Sequence, residues 1–285
     1  MTRNQLKSNT MKTHFLFIVT ALMAMPLVSC TINFDGESFG GKTIKGNGNI
    51  VTRNYDVTMF DEISIALPAT VNFTVSDNYT CTVQVDENIM ECLNIRVEDQ
   101  DLLLGRRKED KNVNLQATRF VIDITAPSLK DISLAGSGTL NVLSPMEGMD
   151  LEVNLAGSGD IIFHQTLTVH EIDLSVAGSG DLSCNELFAD KLDADIAGSG
   201  DLKVLSGNVR EVETSVAGSG DIVLTCDIVD LDADIAGSGD IKARVSGKLE
   251  YSIIGSGDIS YYGNPTMEGD KVGSGSVLRI EEPTR

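Results

Sequence analysis

Six aspartates recur at a fixed offset along the second half of this chain: Asp160, Asp181, Asp201, Asp221, Asp240 and Asp258, each three residues after the first glycine of a Gly-Ser-Gly block. Five residues before such glycines stand Asp131, Glu152, Asp173, Asp193, Glu213, Asp232 and Glu250. Rows of carboxylates are a donor set for hard divalent cations, so the chemistry on offer is Ca²⁺ binding between repeats or in adhesion. The same rows also serve as a solvated face that keeps the molecule soluble and discourages sideways sheet pairing. An Asp following a corner can in addition accept hydrogen bonds from turn N–H groups. The repeat does not match the nonapeptide of Ca²⁺ rolls, and no cofactor besides Ca²⁺ is implied. No catalytic constellation stands out. His164 and His170 have no partner at ligand spacing, and no Cys-x-x-Cys pair exists. A phosphate-gripping role for the Gly-Ser-Gly blocks fails, because none is followed by Lys-Ser/Thr at the spacing a nucleotide loop needs.

The spacing of these blocks dictates the elements that carry them. First glycines at 136, 157, 178, 198, 218, 237, 255 and 273 are 21, 21, 20, 20, 19, 18 and 18 residues apart. Two, four and six residues before them the chain is mostly apolar, as in Ile172, Leu174 and Val176, and alternation resumes afterwards with pairs such as Leu202 and Val204. Period two means strands with one buried face. The fold class is therefore all-β: a β-solenoid, single-stranded and β-helix-like, with coils of about 20 residues punctuated by Gly-Ser-Gly corners. Ile196, Val216 and Ile235 should stack in one interior column. Gly198 and Gly218 should sit where φ is positive or a Cβ would clash. A less regular third segment, such as Leu205 to Arg210, should close each coil.

Four regions follow: 1–30, a signal peptide; 31–41, a tether; 42–130, an irregular N-terminal β region or cap; and 131–285, the regular repeats. The signal has Lys12 before the apolar stretch Phe15 to Leu27, too short for a membrane span. It ends at Leu27-Val28-Ser29-Cys30, which resembles a bacterial lipobox with lipid attached to Cys30. The first 29 residues hold three of the 22 basic residues and none of the 42 acidic ones, so cleavage takes the net charge from −20 to −23. Nucleic acid is excluded as a partner at that charge. The membrane is met through lipidated Cys30, in the outer membrane by preference, with the leaflet left open. Of the remaining cysteines, Cys184 and Cys226 read as small buried hydrophobes. Cys81 and Cys92 either form a disulfide across paired strands or stay free.

Between 42 and 130, the stretches 60–66, 71–75, 80–85, 93–97, 101–105 and 120–125 alternate, and only 86–91 suits a helical turn. Here Gly46-Asn47-Gly48-Asn49-Ile50, Phe60-Asp61-Glu62-Ile63, Asp86-Glu87-Asn88-Ile89 and Val121 to Leu129, followed by Ile132 to Gly138, resemble the secreted bacterial family called "putative auto-transporter adhesin, head GIN domain". That resemblance spans about 42–262 and implies a β-solenoid-like lipoprotein with an adhesive role and no catalytic residues to carry over. The expected function is a lipid-anchored envelope protein that binds or supports, adhesin-like, with a glycan, an envelope component or a host-matrix protein as partner. The alternatives are a polysaccharide lyase or hydrolase on a β-helix, and a divalent-cation-dependent glycan or matrix binder. The absence of Trp and the presence of only five Tyr weigh against a long sugar groove with an aromatic floor.

Overall fold

A computed structural model describes residues 42–110 and 112–281. From Asp131 onward the chain winds as stacked coils in parallel register, each strand pairing with the strand one coil away. One wall leads into the Gly-Ser-Gly corner, as in Asp150–Gly157, Glu171–Gly178 and the end of Asp181–Gly198. A second wall follows the corner, as in Thr139–Val142, Asp160–Thr168 and Leu202–Val204. Interior side chains line up as the alternation requires. Ile196 lies opposite Val216 and Val216 opposite Ile235, and all three are buried.

The third segment is more regular than expected. Gly207–Gly218 is one continuous strand whose start pairs Leu187 with Gly207, Phe188 with Asn208 and Ala189 with Val209. The extra hydrogen bonds come from the same stacking that aligns the other walls: once two walls are in register, the third has a parallel neighbour at ladder distance. The shrinking period is absorbed next to this segment. Register shifts occur between Phe163 and Thr166 and again between Leu224 and Asp227, whereas the wall before the corner keeps its pairing unbroken from Glu171 to Gly178 against Lys191 to Gly198. Loss of residues is thus accommodated where the backbone can bulge.

The corner itself cannot bulge. Gly198 has φ +139°, and a Cβ there would lie 2.2 Å from the carbonyl oxygen of Gly178 one coil below. Gly200 is excluded from any side chain in the same way, with Gly180 O at 2.1 Å from its Cβ position. The glycines let backbone stack directly on backbone.

Toward the N-terminus the ladder continues through Glu62–Ile65 and Thr70–Val75, then Asp101–Arg106 and Phe120–Ala126. It then turns antiparallel: Leu93–Glu98 adds to Asp101–Arg106, Thr80–Asp86 adds to Phe120–Ala126, and Ile50–Tyr55 adds outside it. A helical turn, Glu87–Met90, buries Ile89 and Met90 against this end. Two of the sequence motifs lock together here. Gly48 N–H and Thr118 N–H each donate to the Asp86 carboxylate at 2.7 Å. Asn47 N–H donates to Asn88 Oδ1 at 3.0 Å, and Asn88 Nδ2 returns a bond to Lys45 O at 2.8 Å. Burial opposes ionisation of Asp86, but the N–H donors outweigh it and hold its carboxyl below the usual range.

The disulfide alternative for Cys81 and Cys92 is overturned. Both are free and buried, Cys81 facing Tyr55 and Ile124 across the sheet while Cys92 lies in the turn after the helix. Cys184 and Cys226 are buried and free as expected, and desolvation pushes both thiols up to about 12.

Gly198→Ala should lower stability several-fold more than Gly48→Ala. Gly48 shares a positive φ, +79°, but has nothing within 4 Å of its Cβ position, so only backbone strain of about 1 kcal/mol applies there. Urea midpoints of the two variants against the parent measure the difference. Asp86→Ala should also destabilise, by about 1–3 kcal/mol, since the buried carboxylate that accepts the part-buried Gly48 and Thr118 N–H bonds is lost; thermal unfolding reads that loss.

Candidate functional site

The wall that precedes the corner presents its polar side chains to one outer face, and stacking turns scattered acids into an unbroken row. Asp131, Glu152, Asp173, Asp193, Glu213, Asp232 and Glu250 pair rung by rung. The row runs further than the repeat pattern suggested. Glu62 and Asp101 extend it at one end, and Glu268 at the other. Two residues along, Asp195 and Asp234 add carboxylates to a column otherwise including Ser175, Ser215 and Ser252.

Like charges about 4.8 Å apart repel, and this repulsion adds to partial burial in raising the carboxyls of the face. Desolvation first, then Asp234, Glu250 and Glu213, pushes Asp232 up to about 6. Desolvation, then Asp193, Asp173 and Glu213, does the same to Asp195, also to about 6. Asp131 and Asp173 are raised for the same reasons. Compensation comes from lysines set two residues away: Lys191 Nζ is 2.7 Å from Asp193 and 3.4 Å from Glu171, and Lys248 pairs with Glu250 and lies 3.3 Å from Glu268.

The aspartates after the corner have a different task. Asp201 N–H donates to Asp181 Oδ1 at 3.1 Å, Asp221 to Asp201 at 3.3 Å, Asp240 to Asp221 at 2.9 Å and Asp258 to Asp240 at 2.8 Å. The series ends where Ser276 N–H and Oγ donate to Asp258 Oδ1, holding that carboxyl below its usual range. Each carboxylate thus satisfies the N–H one coil above. Asp160 stands at the start of the row with its N–H donating to Gly138 O at 3.0 Å. None of these six joins a group of three or more ligand-type side chains among the described residues. Cys30 lies outside the described residues.

His170, read from the sequence as lacking a ligand-spaced partner, has two. Its Nδ1 is 3.7 Å from Asp150 Oδ1 and its Nε2 is 3.6 Å from Asp190 Oδ2. Asp150, His170 and Asp190 are one coil apart in each direction, so the signal was the repeat period itself, used as a contact distance. His164 instead meets Asn141 Oδ1 at 2.9 Å. The surface also carries concavities of about 470 Å³, beside Thr70, Thr118 and Thr139, and about 350 Å³, between Leu205, Thr225, Arg244 and Tyr262. The second lies where the coil period is taken up. No helix among the described residues is long and apolar enough to cross a membrane.

The comparisons with known proteins agree with this architecture. The family described as "Putative auto-transporter adhesin, head GIN domain" matches residues 59–183 and 152–265. A "putative lipid binding protein" from Parabacteroides distasonis is 30% identical with TM-score 0.82, over 84% of this chain and all of that one. A "putative adhesin" from Parabacteroides merdae is 27% identical with TM-score 0.79, over the same shares. A second "putative adhesin" from Parabacteroides distasonis is 28% identical with TM-score 0.78, again over 84% and 100%. Among curated proteins nothing matches.

The acidic face generates a pH prediction. A carboxyl whose pKa is raised by folding opposes folding once ionised, a penalty absent below the unfolded value of about 3.9 and complete above the folded value. Asp232→Asn should therefore stabilise the protein at pH 7 by about 1 kcal/mol after screening by solvent and salt. The gain should fade as pH is lowered through 6 and vanish near 4. Urea midpoints of parent and variant at both ends of that range check it.

Proposed function

The chain belongs to the family described as "putative auto-transporter adhesin, head GIN domain", and we propose that it is a lipid-anchored, adhesin-like protein of the cell envelope. The observation that carries this reading is a rigid solenoid whose interior columns are filled by Ile, Val and Leu while its outer walls present unbroken polar rows. A filled interior leaves the outside as the working surface, which suits contact with a glycan, an envelope component or a host-matrix protein. Strong negative charge makes a cationic or cation-bridged partner surface the favourable one. Lipid on Cys30, in the outer membrane, would hold the solenoid at the envelope through the 31–41 tether.

Fractionation and binding test this together. The parent should partition with outer membranes, and Cys30→Ala should move it to the soluble fraction. Soluble Cys30→Ala protein should bind members of a glycan and matrix-protein array, assayed with and without Ca²⁺. A parent found only in the soluble fraction would remove the anchor. An array with no binding above an unrelated acidic protein would remove the adhesive role, and sugar released from the array would favour the polysaccharide-active alternative.

A further inference from the structure

Solenoid stacking creates one mixed imidazole and carboxylate cluster that neither the family nor the adhesive reading explains. Asp150, His170 and Glu171 offer ligand atoms that all lie within 4.8 Å of one another. They come from two successive coils whose walls are in register, Asp150 opposite Glu171. The imidazole stands between two carboxylates, Nε2 at 3.6 Å from Asp190 Oδ2 of the third coil and Nδ1 at 3.7 Å from Asp150 Oδ1. A metal-ligating histidine typically has such a carboxylate on its second nitrogen, which sets the tautomer and raises the basicity of the first.

A second observation adjoins the first. Glu171 also belongs to a triad with Asp173 and Asp193, and Asp193 Oδ1 is buried there without a hydrogen-bond partner. Lys191 is the cation that this stretch now has, at 3.4 Å from Glu171 and 2.7 Å from Asp193. The carboxylate charge on these coils exceeds what one ammonium neutralises.

We infer that Asp150, His170 and Glu171 form a site for one borderline divalent metal ion such as Zn²⁺, with Asp190 as the outer partner of the imidazole. Bonds of about 2.1 Å in tetrahedral geometry separate ligand atoms by about 3.4 Å; His170 and Asp150 stand at 3.7 Å, and all three ligand atoms lie within 4.8 Å, so side-chain rotation at this exposed surface must draw them in on binding. Imidazole selects Zn²⁺, Ni²⁺ or Cu²⁺ over Ca²⁺, whose ligands are oxygens. The site is thus distinct in chemistry from the carboxylate rows. The fourth position is left to water or to a ligand from a partner surface.

Titration calorimetry of the full chain with zinc chloride tests this, with Ca²⁺ present in hundredfold excess to occupy the acidic rows. One Zn²⁺ per chain is expected. His170→Ala should abolish that binding or weaken it at least tenfold, and Asp190→Asn should weaken it about tenfold through the imidazole alone. His164→Ala and Asp201→Asn should leave it unchanged. Because His170 is exposed, the melting temperature of His170→Ala without metal should equal that of the parent, which separates a lost ligand from a lost fold. Replacing Zn²⁺ by Co²⁺ should give a visible absorption band that disappears in His170→Ala. Zn²⁺ binding of equal affinity in His170→Ala, displacement by Ca²⁺, or no uptake by the parent would each overturn the assignment.

Discussion

Direct contact between the backbones of successive coils at the Gly-Ser-Gly corner is the constraint on which the rest depends. From Gly157 onward the φ values of the first glycines run from +127° to +146° at Gly237, and the Cβ position of each falls onto the carbonyl of the glycine below, 2.5 Å away at Gly157 and 2.1 Å at Gly237, whereas Gly136 at the first corner, φ +111°, has nothing within 4 Å. With any side chain at that place the coils would have to separate beyond sheet spacing, and every ladder beside the corner would open. With glycine, each corner pins its neighbour, so the wall leading into it cannot slip by a residue. A slip by one would turn the apolar columns to water and the carboxylates inward.

That register sets two opposing energies. Inside, columns such as Ile196, Val216 and Ile235 exclude water along the whole stack. Outside, the same register forces like charges into rows at ladder distance, and burial first, with that repulsion second, raises the carboxyls of Asp232 and Asp195. The fold tolerates the second because the first is repeated in every coil, and because Lys191 and Lys248 interrupt the outer charge. The aspartates after the corner from Asp181 to Asp258 escape the conflict by accepting an N–H of the next coil.

The cap obeys a different logic. A parallel stack must end in an exposed edge, and antiparallel strands close this one, with Ile50–Tyr55 outermost on one wall and Leu93–Glu98 on the other. The Asp86 carboxylate, drawing N–H groups from residues near 48 and 118, ties the entering chain to that end. Gly46 is thereby accounted for, since a Cβ there would lie 2.3 Å from the Asp86 carboxyl, whereas Gly48 answers to its positive φ of +79°.

The sequence by itself determined the solenoid, its coil length, the corner glycines, the buried columns and six strands of the cap, because each is written in local periodicity, two for strands and about twenty for coils, but not Thr43–Lys45, Ile50–Tyr55 or Asn114–Gln116, whose largely exposed residues carry no such signal. It also placed the helical turn near residues 86–91, observed as Glu87–Met90. Only the tertiary structure decided what lies one coil above or below a given residue. It joined Glu62, Asp101 and Glu268 to the acidic row although Glu62 and Asp101 precede the regular repeat. It separated Cys81 from Cys92 and brought Asp150, His170 and Asp190 together. The physical reason is that ligand spacing along a chain is judged over a few residues, whereas in a solenoid the nearest neighbours are a full coil apart, and the varying step of 18 to 21 residues hides that distance until the register is built.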